Sequence, residues 1–445
     1  MRESVDCHAA DSRVCRCGKF PTEGRPARTL RPSGAASADL FCIMQAQTTD
    51  ILICGGGIAG KAAALSLAQG GFDVMLLGAR PAAALPAAGY AQRVYALNAA
   101  SRQLLDALRV WPELPAGRIQ RVDAMRVHAD GAELGFTTAD APGDALAWIV
   151  ESDAIEAALD LALRFERRAR VAAAPATTIA RSGGTAPWRI ETADGDRIDT
   201  RLLVGADGQD SKVRDAAGIA VETRDYQQRG IVANFACARP HGGTAFQVFG
   251  GDGVIALLPL APLAGTPMVS LVWSAPELLA QDLLALAPDA LARRVTDLLP
   301  TLGAEPLGPL AAAGSAASWP LQRRLAGSAV GDGVVLVGDA AHRLHPLAGQ
   351  GLNLGLQDVQ MLARTLQQRR PGQPLDDPRL LRQYARSRAE QVLALATVTD
   401  GLARLYRARS YVPPGLRAWG LRLANAMPPV KQLLTRYASG LPYVA

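Results

Sequence analysis

The side chains and bare backbone amides of this chain that could do chemistry fall in three turns, each placed directly after an apolar run. The longest is Gly338-Asp339-Ala340-Ala341-His342-Arg343-Leu344-His345-Pro346-Leu347-Ala348-Gly349-Gln350-Gly351-Leu352-Asn353-Leu354-Gly355-Leu356-Gln357-Asp358. It follows Val334 to Val337 and enters a helical pattern that stops at Pro371. An acid at the end of a strand can hold the hydroxyls of a sugar-alcohol chain. Glycines that feed a helix leave its first N–H groups open to an anion or a polarised ring. Taken alone, this turn implies an anion or cofactor site.

The second turn, Gly55-Gly56-Gly57-Ile58-Ala59-Gly60, follows Ile51 to Cys54 and has the spacing of a dinucleotide fingerprint. Gly55 would make the tight turn, Gly57 would admit a pyrophosphate, and Gly60 would let helix and strand pack closely. A helix then reads Lys61 to Gln69, stopped by Gly70-Gly71, with a second strand over Val74 to Leu77. The fingerprint expects an acid for the adenosine ribose about 20 residues on. Gly78 stands there instead, and Asp73 is at the wrong end of the strand. The ribose is therefore expected to be held by backbone or water, or less tightly, and Gly78→Glu is expected to tighten the cofactor. Lys61 and Arg80 either add positive charge near the phosphates or stay solvated.

In the third turn, Leu202 to Val204 lead into Gly205-Ala206-Asp207-Gly208-Gln209-Asp210-Ser211-Lys212-Val213-Arg214, with Ser211 placed to cap a short helix. By itself this reads as a structural Asx turn. Beside the other two it completes a flavin-binding set.

In this order and at these separations the three turns resemble those of the class A flavoprotein monooxygenases, the group that includes para-hydroxybenzoate hydroxylase. His345 to Asp358 is more similar still to the UbiH/UbiF-type hydroxylases of ubiquinone biosynthesis. So are Arg93-Val94-Tyr95-Ala96-Leu97-Asn98 with Ser101, Trp148-Ile149-Val150-Glu151, and Gly230-Ile231-Val232-Ala233-Asn234. Leu257-Leu258-Pro259-Leu260, Val272-Trp273-Ser274 and Thr399-Asp400-Gly401-Leu402 match that subgroup too. The resemblance runs from Asp50 to the C-terminus. It implies an α/β fold: a Rossmann-type FAD-binding domain of the para-hydroxybenzoate hydroxylase kind, an inserted β-sheet substrate domain and a C-terminal helical segment. It implies FAD as cofactor, with NAD(P)H and O2 as co-substrates. The implied reaction is hydroxylation of the aromatic ring of a polyprenylated phenol through a C4a-hydroperoxyflavin. Two alternatives stay open: hydroxylation of a small unprenylated phenol, and a flavin-binding member of a biosynthetic complex without turnover, which Gly78 favours.

The resemblance also implies roles. Gly55, Gly57 and Gly60, with Ile58 and Ala59 between them, would cradle the FAD pyrophosphate. Arg93 would lie near the cofactor phosphates, or else in a surface salt bridge. Asp207 and Gly208 would sit near the pyrophosphate and the flavin, and Asp339 would bind the ribityl hydroxyls. Gly349, Gln350 and Gly351 would present N–H groups to the N1/O2 edge of the ring, where charge builds on reduction, with Leu352 and Asn353 continuing the contact. Pro346 would lie against the ring and shape the oxygen pocket. His345 or His342 would relay a proton from the phenol or be structural. No metal is expected: of five histidines (His8, His128, His241, His342 and His345) only the last two are close, without cysteine or acid at metal spacing.

The elements that must position these groups are legible more coarsely. At 445 residues and 49% hydrophobic content the chain can bury one large core or two. No apolar run reaches the roughly 20 residues of a membrane span, and no apolar h-region marks a secretory signal. Cys7, Cys15, Cys17, Cys42, Cys54 and Cys237 form no disulfide framework, so a reducing cytoplasm is expected, with peripheral contact at the inner face of the membrane. Residues 1–43 lack periodicity and read as disordered or as a misassigned leader, with Met44 the native start. The FAD-binding domain is expected over 44–220 and 325–398, and the substrate domain over 221–324. In the latter, Ile231–Phe235, Thr244–Phe249, Val254–Pro259 and Met268–Ser274 read as strands, with Phe246, Phe249, Leu257 and Trp273 as candidate pocket residues.

The last segment, 399–445, reads as basic amphipathic helix. Arg404, Arg407, Arg409, Arg417, Arg422, Lys431 and Arg436 stand against Asp400 alone, so its formal charge equals the whole chain's +6. Such a segment suits an anionic membrane, a partner of a ubiquinone-biosynthesis complex, or a helical cap on the core. Nucleic acid is not expected, since no stacking aromatics accompany the charge.

Overall fold

The computed structural model describes residues 47–87, 89–141, 143–183, 186–345, 349–406 and 412–440. The expectations for residues 1–43 and for Pro346 lie outside the described residues. In chain order, β1 (Gln47–Cys54), α1 (Ile58–Gln69) and β2 (Val74–Leu77) make the expected opening unit. Then come β3 (Val94–Leu97), α2 (Ala99–Ala107), β4 (Gln120–Val122), β5 (Ala124–Ala129), β6 (Ala132–Thr137), β7 (Ala147–Glu151) and α3 (Ser152–Phe165). The next stretch holds β8 (Ala169–Ala172), β9 (Ala176–Arg181), β10 (Trp188–Thr192), β11 (Arg197–Gly205) and α4 (Lys212–Ala216). Four long strands follow, β12 (Val221–Cys237), β13 (Thr244–Gly250), β14 (Gly253–Leu263) and β15 (Thr266–Pro276), then α5 (Glu277–Ala285), α6 (Pro288–Thr296) and α7 (Leu299–Leu302). The chain closes with β16 (Leu310–Ala312), β17 (Ala317–Ala326), β18 (Val330–Gly331), β19 (Val334–Leu336), β20 (His342–Arg343), α8 (Gly351–Gln367), α9 (Pro378–Leu405), α10 (Pro414–Ala426) and α11 (Pro428–Ser439).

The first sheet has the order β18-β19-β11-β1-β2-β8, with β10 and β9 paired on beyond β11. Its centre is parallel, β19 on β11, β11 on β1, β1 on β2, and β2 on β8. Val74 to Leu77 and Ile51 to Cys54 are buried throughout, which is why both read as unbroken apolar runs rather than alternating ones. The helices α1, α3 and α8 pack together over one face. All three glycine turns leave the carboxyl ends of neighbouring strands β1, β11 and β19, the place where open α/β sheets bind ligands.

The second sheet runs β20-β17-β12-β15-β14-β13-β5-β6, with β16 also on β12. One face is covered by α5, α6 and α7, whose Leu283, Leu291, Val295 and Leu299 share a core with Ile231, Phe235, Leu257 and Trp273. A small third sheet, β3-β7-β4, lies between. Two expected boundaries do not fall where the sequence put them. Residues 124–137, assigned to the FAD-binding part, supply β5 and β6 to the second sheet, because β5 pairs in parallel with β13. The break expected at 399 lies inside α9, one continuous helix in which Gly401 costs only about 1 kcal/mol and does not end the run.

Candidate active site

Close backbone approach explains the first turn. Gly55 has φ +116°, and a Cβ there would lie 2.2 Å from the Ala206 carbonyl oxygen. A Cβ on Gly60 would lie 1.8 Å from the Gly55 oxygen, and one on Gly56 2.1 Å from Ala79 Cα, a constraint the fingerprint does not contain. Gly57 differs: nothing lies within 4 Å of where its Cβ would be. It caps α1 without any side-chain hydrogen bond and with no acid in the first turn. Bare N–H groups therefore face open space there.

Two expectations beside this turn change. Lys61 is fully buried, with its ammonium 2.9 Å from Asp160 and 3.4 Å from Glu156 and donating to the Arg80 carbonyl. It pairs with two acids of α3 and is spent on holding α1 to that helix. Gly78 has φ +74°, the left-handed region that favours glycine, and donates its N–H to Ala174. It is a turn residue, so an acid restored there would be strained.

At the second strand end, Gly208 has φ +81° and lines the cavity described below. Asp207 accepts from the Ser211 hydroxyl and from the Val213 N–H, while Ser211 accepts from the Arg214 N–H. Both carboxylate oxygens of Asp207 thus cap α4.

At the third, Asp339 is exposed, lines the cavity and has no hydrogen bond or ion pair to any described residue. The short turn that carries it is fixed from below by Asp358, which is fully buried and accepts from the Gly338 N–H at 3.0 Å. His342 lies 2.6 Å from the same carboxylate, and Arg388 of α9 donates to its other oxygen at 2.7 Å. Burial alone would raise the Asp358 pKa, but His342 and Arg388 hold it below the usual carboxylate range. His345 turns its ring to Gln228 at 2.9 Å and to Tyr226, edge-on at 4.6 Å, and is not among the cavity-lining residues. Gly349, Gln350, Gly351 and Leu352 do line the cavity, at an α8 N-terminus with no side-chain cap and no acid in its first turn. Asn353 does not. Its amide is consumed by the Asn98 N–H, the Ser101 hydroxyl and the Ala96 carbonyl, so it stitches α8 to the start of α2 instead of meeting a ligand.

The cavity joins these ends in one space of about 810 Å³. Ile58 and Ala59 line it from the start of α1, with Arg93 just before β3 and Tyr95 within it. Arg93 is exposed and has no carboxylate partner among the described residues. Its guanidinium lies over Trp319 at 5.3 Å and Tyr95 at 5.7 Å. The second sheet supplies the floor through Ala245, Gln247, Ala256, Leu258 and Val272. Phe246, Leu257 and Trp273, the candidate pocket residues, are each one position out of phase and point instead into the core under α5–α7. Phe249 packs against Tyr406. Arg343 was missed as a site residue although it lies in the long turn; it lines the cavity, and burial pushes its pKa down. Nothing in the sequence marked the third wall, Leu434, Thr435, Tyr437 and Ser439 of α11.

Residues 48–399 match the FAD binding domain family. A ubiquinone hydroxylase, UbiL, of Rhodospirillum rubrum is 35% identical over 408 residues, covering 88% of this chain and 90% of its own. The chain belongs to the class A FAD-dependent monooxygenases of the ubiquinone-biosynthesis hydroxylase family. The 3-demethoxyubiquinol 3-hydroxylase of Escherichia coli is 33% identical over 405 residues, with 89% and 100% covered. Among solved structures, PqsL of Pseudomonas aeruginosa, a probable FAD-dependent monooxygenase, shares the fold at a TM-score of 0.69 and 23% identity, covering 84% of this chain and all of that one. As a member of this family the chain is an FAD-dependent aromatic monooxygenase. The cavity fits FAD: two helix N-termini without side-chain caps, α1 and α8, and the partnerless Asp339 carboxylate open into one space of about 810 Å³.

Proposed function

We propose that this monooxygenase hydroxylates the ring of a polyprenylated phenol in ubiquinone biosynthesis, using NAD(P)H and O2, and that it works in peripheral contact with the membrane or a biosynthetic complex. The observation that carries the reading is that one cavity joins the glycine turns and Asp339 at one side to an apolar sheet floor at the other. FAD, when bound, supplies the electron transfer from NAD(P)H and the activation of dioxygen. The protein's residues bind and orient it. The N–H groups that open α1 at Gly57 would face the pyrophosphate, with Arg93 balancing its charge, and the carboxylate of Asp339 would accept from the ribityl hydroxyls. Gly349, Gln350 and Gly351 would turn N–H groups to the electron-rich edge of the ring system, where negative charge is stabilised.

On the other side, Ala245, Ala256, Leu258 and Val272 would exclude water and offer an apolar surface to an aromatic ring. Gln247, 5% exposed, is the polar side chain in that floor and would orient the phenol oxygen. The names of the relatives support the substrate class: a ubiquinone hydroxylase and a demethoxyubiquinol hydroxylase.

The test is to load the protein with FAD and NADH or NADPH and supply a detergent-dispersed prenylated phenol. The product is then examined by mass spectrometry for one added oxygen atom. Coupled hydroxylation of the prenylated compound and poor turnover of its unprenylated analogue are expected. Equal turnover of the two would move the reading to a small-phenol hydroxylase, and nucleotide oxidation without any product would reject it.

A further inference from the structure

The last two described helices, α10 and α11, each turn an apolar stripe outward. On α11, Val430, Leu433, Leu434 and Tyr437 recur at the spacing of a single helical face. In a helix that covers a core this face would be buried. Instead Leu433, Leu434 and Tyr437 are 51%, 44% and 47% exposed. The inward face is polar: the Thr435 hydroxyl donates to the Asp140 carbonyl, Ser439 is buried, and Lys431 sits 3.1 Å from the Asp140 carboxylate. On α10, Ala418, Leu421 and Ala424 pack inward, yet Leu416, Trp419 and Leu423 form a second apolar stripe facing out. Met427 between the helices continues it.

Charge says what covers this face. Neither helix carries an acidic residue, whereas Arg417, Arg422, Lys431 and Arg436 are basic. Arg417 and Lys431 pair with Asp130 and Asp140; Arg422, which donates to the Gly131 carbonyl, and Arg436 stand at solvent-exposed positions. A second copy of the same face would bring these arginines against each other, since a two-fold contact is self-complementary. A bilayer with anionic headgroups accepts both the apolar stripe and the flanking cations. Position agrees: Leu434 and Tyr437, with Val398 of α9, are exposed and also line the cavity, so the apolar face runs continuously into the site. Among the described residues no helix is long and apolar enough to cross a membrane, so contact by these helices is interfacial.

We infer that the outward face of α10 and α11 docks on an anionic phospholipid surface, setting the cavity mouth against the bilayer that holds the substrate. The inference rests on the lipid-substrate reading for its purpose, though not for its test. The FAD-loaded protein is floated with phosphatidylcholine vesicles, with and without phosphatidylglycerol. The expected result is binding to the anionic vesicles, weakened by salt, and at least tenfold weaker for the double variant Trp419→Ser, Leu433→Ser. Neither of those residues lines the cavity, so FAD content and turnover of detergent-dispersed substrate should be unchanged. Those two controls also show that the variant has folded. Failure of the wild type to float, or equal flotation of the variant, overturns the inference. A concentration-dependent dimer in sedimentation that the same variant abolishes would also overturn it, by assigning the face to a second copy. Vesicle binding by a wild-type protein that does not turn over the prenylated phenol would instead count against the proposed substrate and leave the inference standing.

Discussion

Asp339 and Asn353 are both polar side chains in the long turn and helix start, yet they face opposite ways and have opposite fates. Asp339 opens on the cavity without a protein partner, while every polar atom of the Asn353 amide is engaged by the chain. Asp339→Ala should therefore leave the apoprotein's stability nearly unchanged and weaken FAD by roughly 10- to 100-fold, since hydrogen bonds to a charged group contribute about 1.5–3 kcal/mol. Ultrafiltration with flavin fluorescence of the filtrate measures it. Gly78 illustrates the converse error. Its spacing marks it as a missing acid, but its φ of +74° marks it as a turn. Gly78→Glu is expected to cost about 1–2 kcal/mol of stability in urea titration, without the tighter FAD binding that the sequence alone suggested. Spacing located the fingerprint glycines because a Cβ at Gly55 or Gly60 would meet backbone. Spacing carries no such signal for the direction in which Asn353, Asp207 or His345 points, and those assignments failed to reach the cavity or reached it only through neighbours.

Among the elements, the strands of the second sheet were legible and their phase was not. The reason is specific to β14, where Leu257 and Leu258 are both apolar because one faces the α5–α7 core and the other the cavity. A strand buried on both faces has no polar alternation to reveal which side is which. The structure makes these neighbours separable. Leu257→Ala opens a void in a fully buried site and should lower stability by about 2–5 kcal/mol, with kcat/KM at permissive temperature little changed. Leu258→Trp fills the floor instead, so it should lower kcat/KM for the prenylated phenol at least tenfold while FAD stays bound. The reverse pattern would put the floor on the other face. The third wall was illegible for another reason: α11 meets the turn at Asp140 through Lys431 and Thr435, and Phe136 of β6 through Lys431, contacts that join distant parts of the chain.

Across the whole molecule, α9 is one of the ties between the two sheets, beside Arg324 of β17, which donates to the Gln209 carbonyl in the turn after β11. The 28 residues of α9 span about 42 Å. Near its start Tyr384 donates to the Leu336 carbonyl of β19, and Arg388 grips Asp358 behind the Asp339 turn. Because the Asp358 carboxyl is held below its ordinary value, its contribution is complete above the unfolded pKa, about 3.9, and is lost as pH falls below that. Acid unfolding monitored by circular dichroism should steepen below about pH 4, and Asp358→Asn should be less stable at neutral pH with a flatter acid limb. At the other end of α9, Asp400 accepts from Tyr226 and Arg224 of β12 and from Arg323 of β17. Asp400 is 7% exposed. Removing one partner of a buried pair costs about 3–5 kcal/mol, and here Arg224, its side chain 30% exposed, can rehydrate, so Asp400→Ala should cost about 3 kcal/mol. That loss should be local. Hydrogen exchange followed by mass spectrometry should show faster exchange in β12 and β17 of the variant, with β1 and β11 protected as before. Equal loss in both sheets would mean that the sheets unfold as one unit and that α9 is a cover and not a strut. Selective loss would assign part of the coupling between the cofactor end and the substrate floor to this helix.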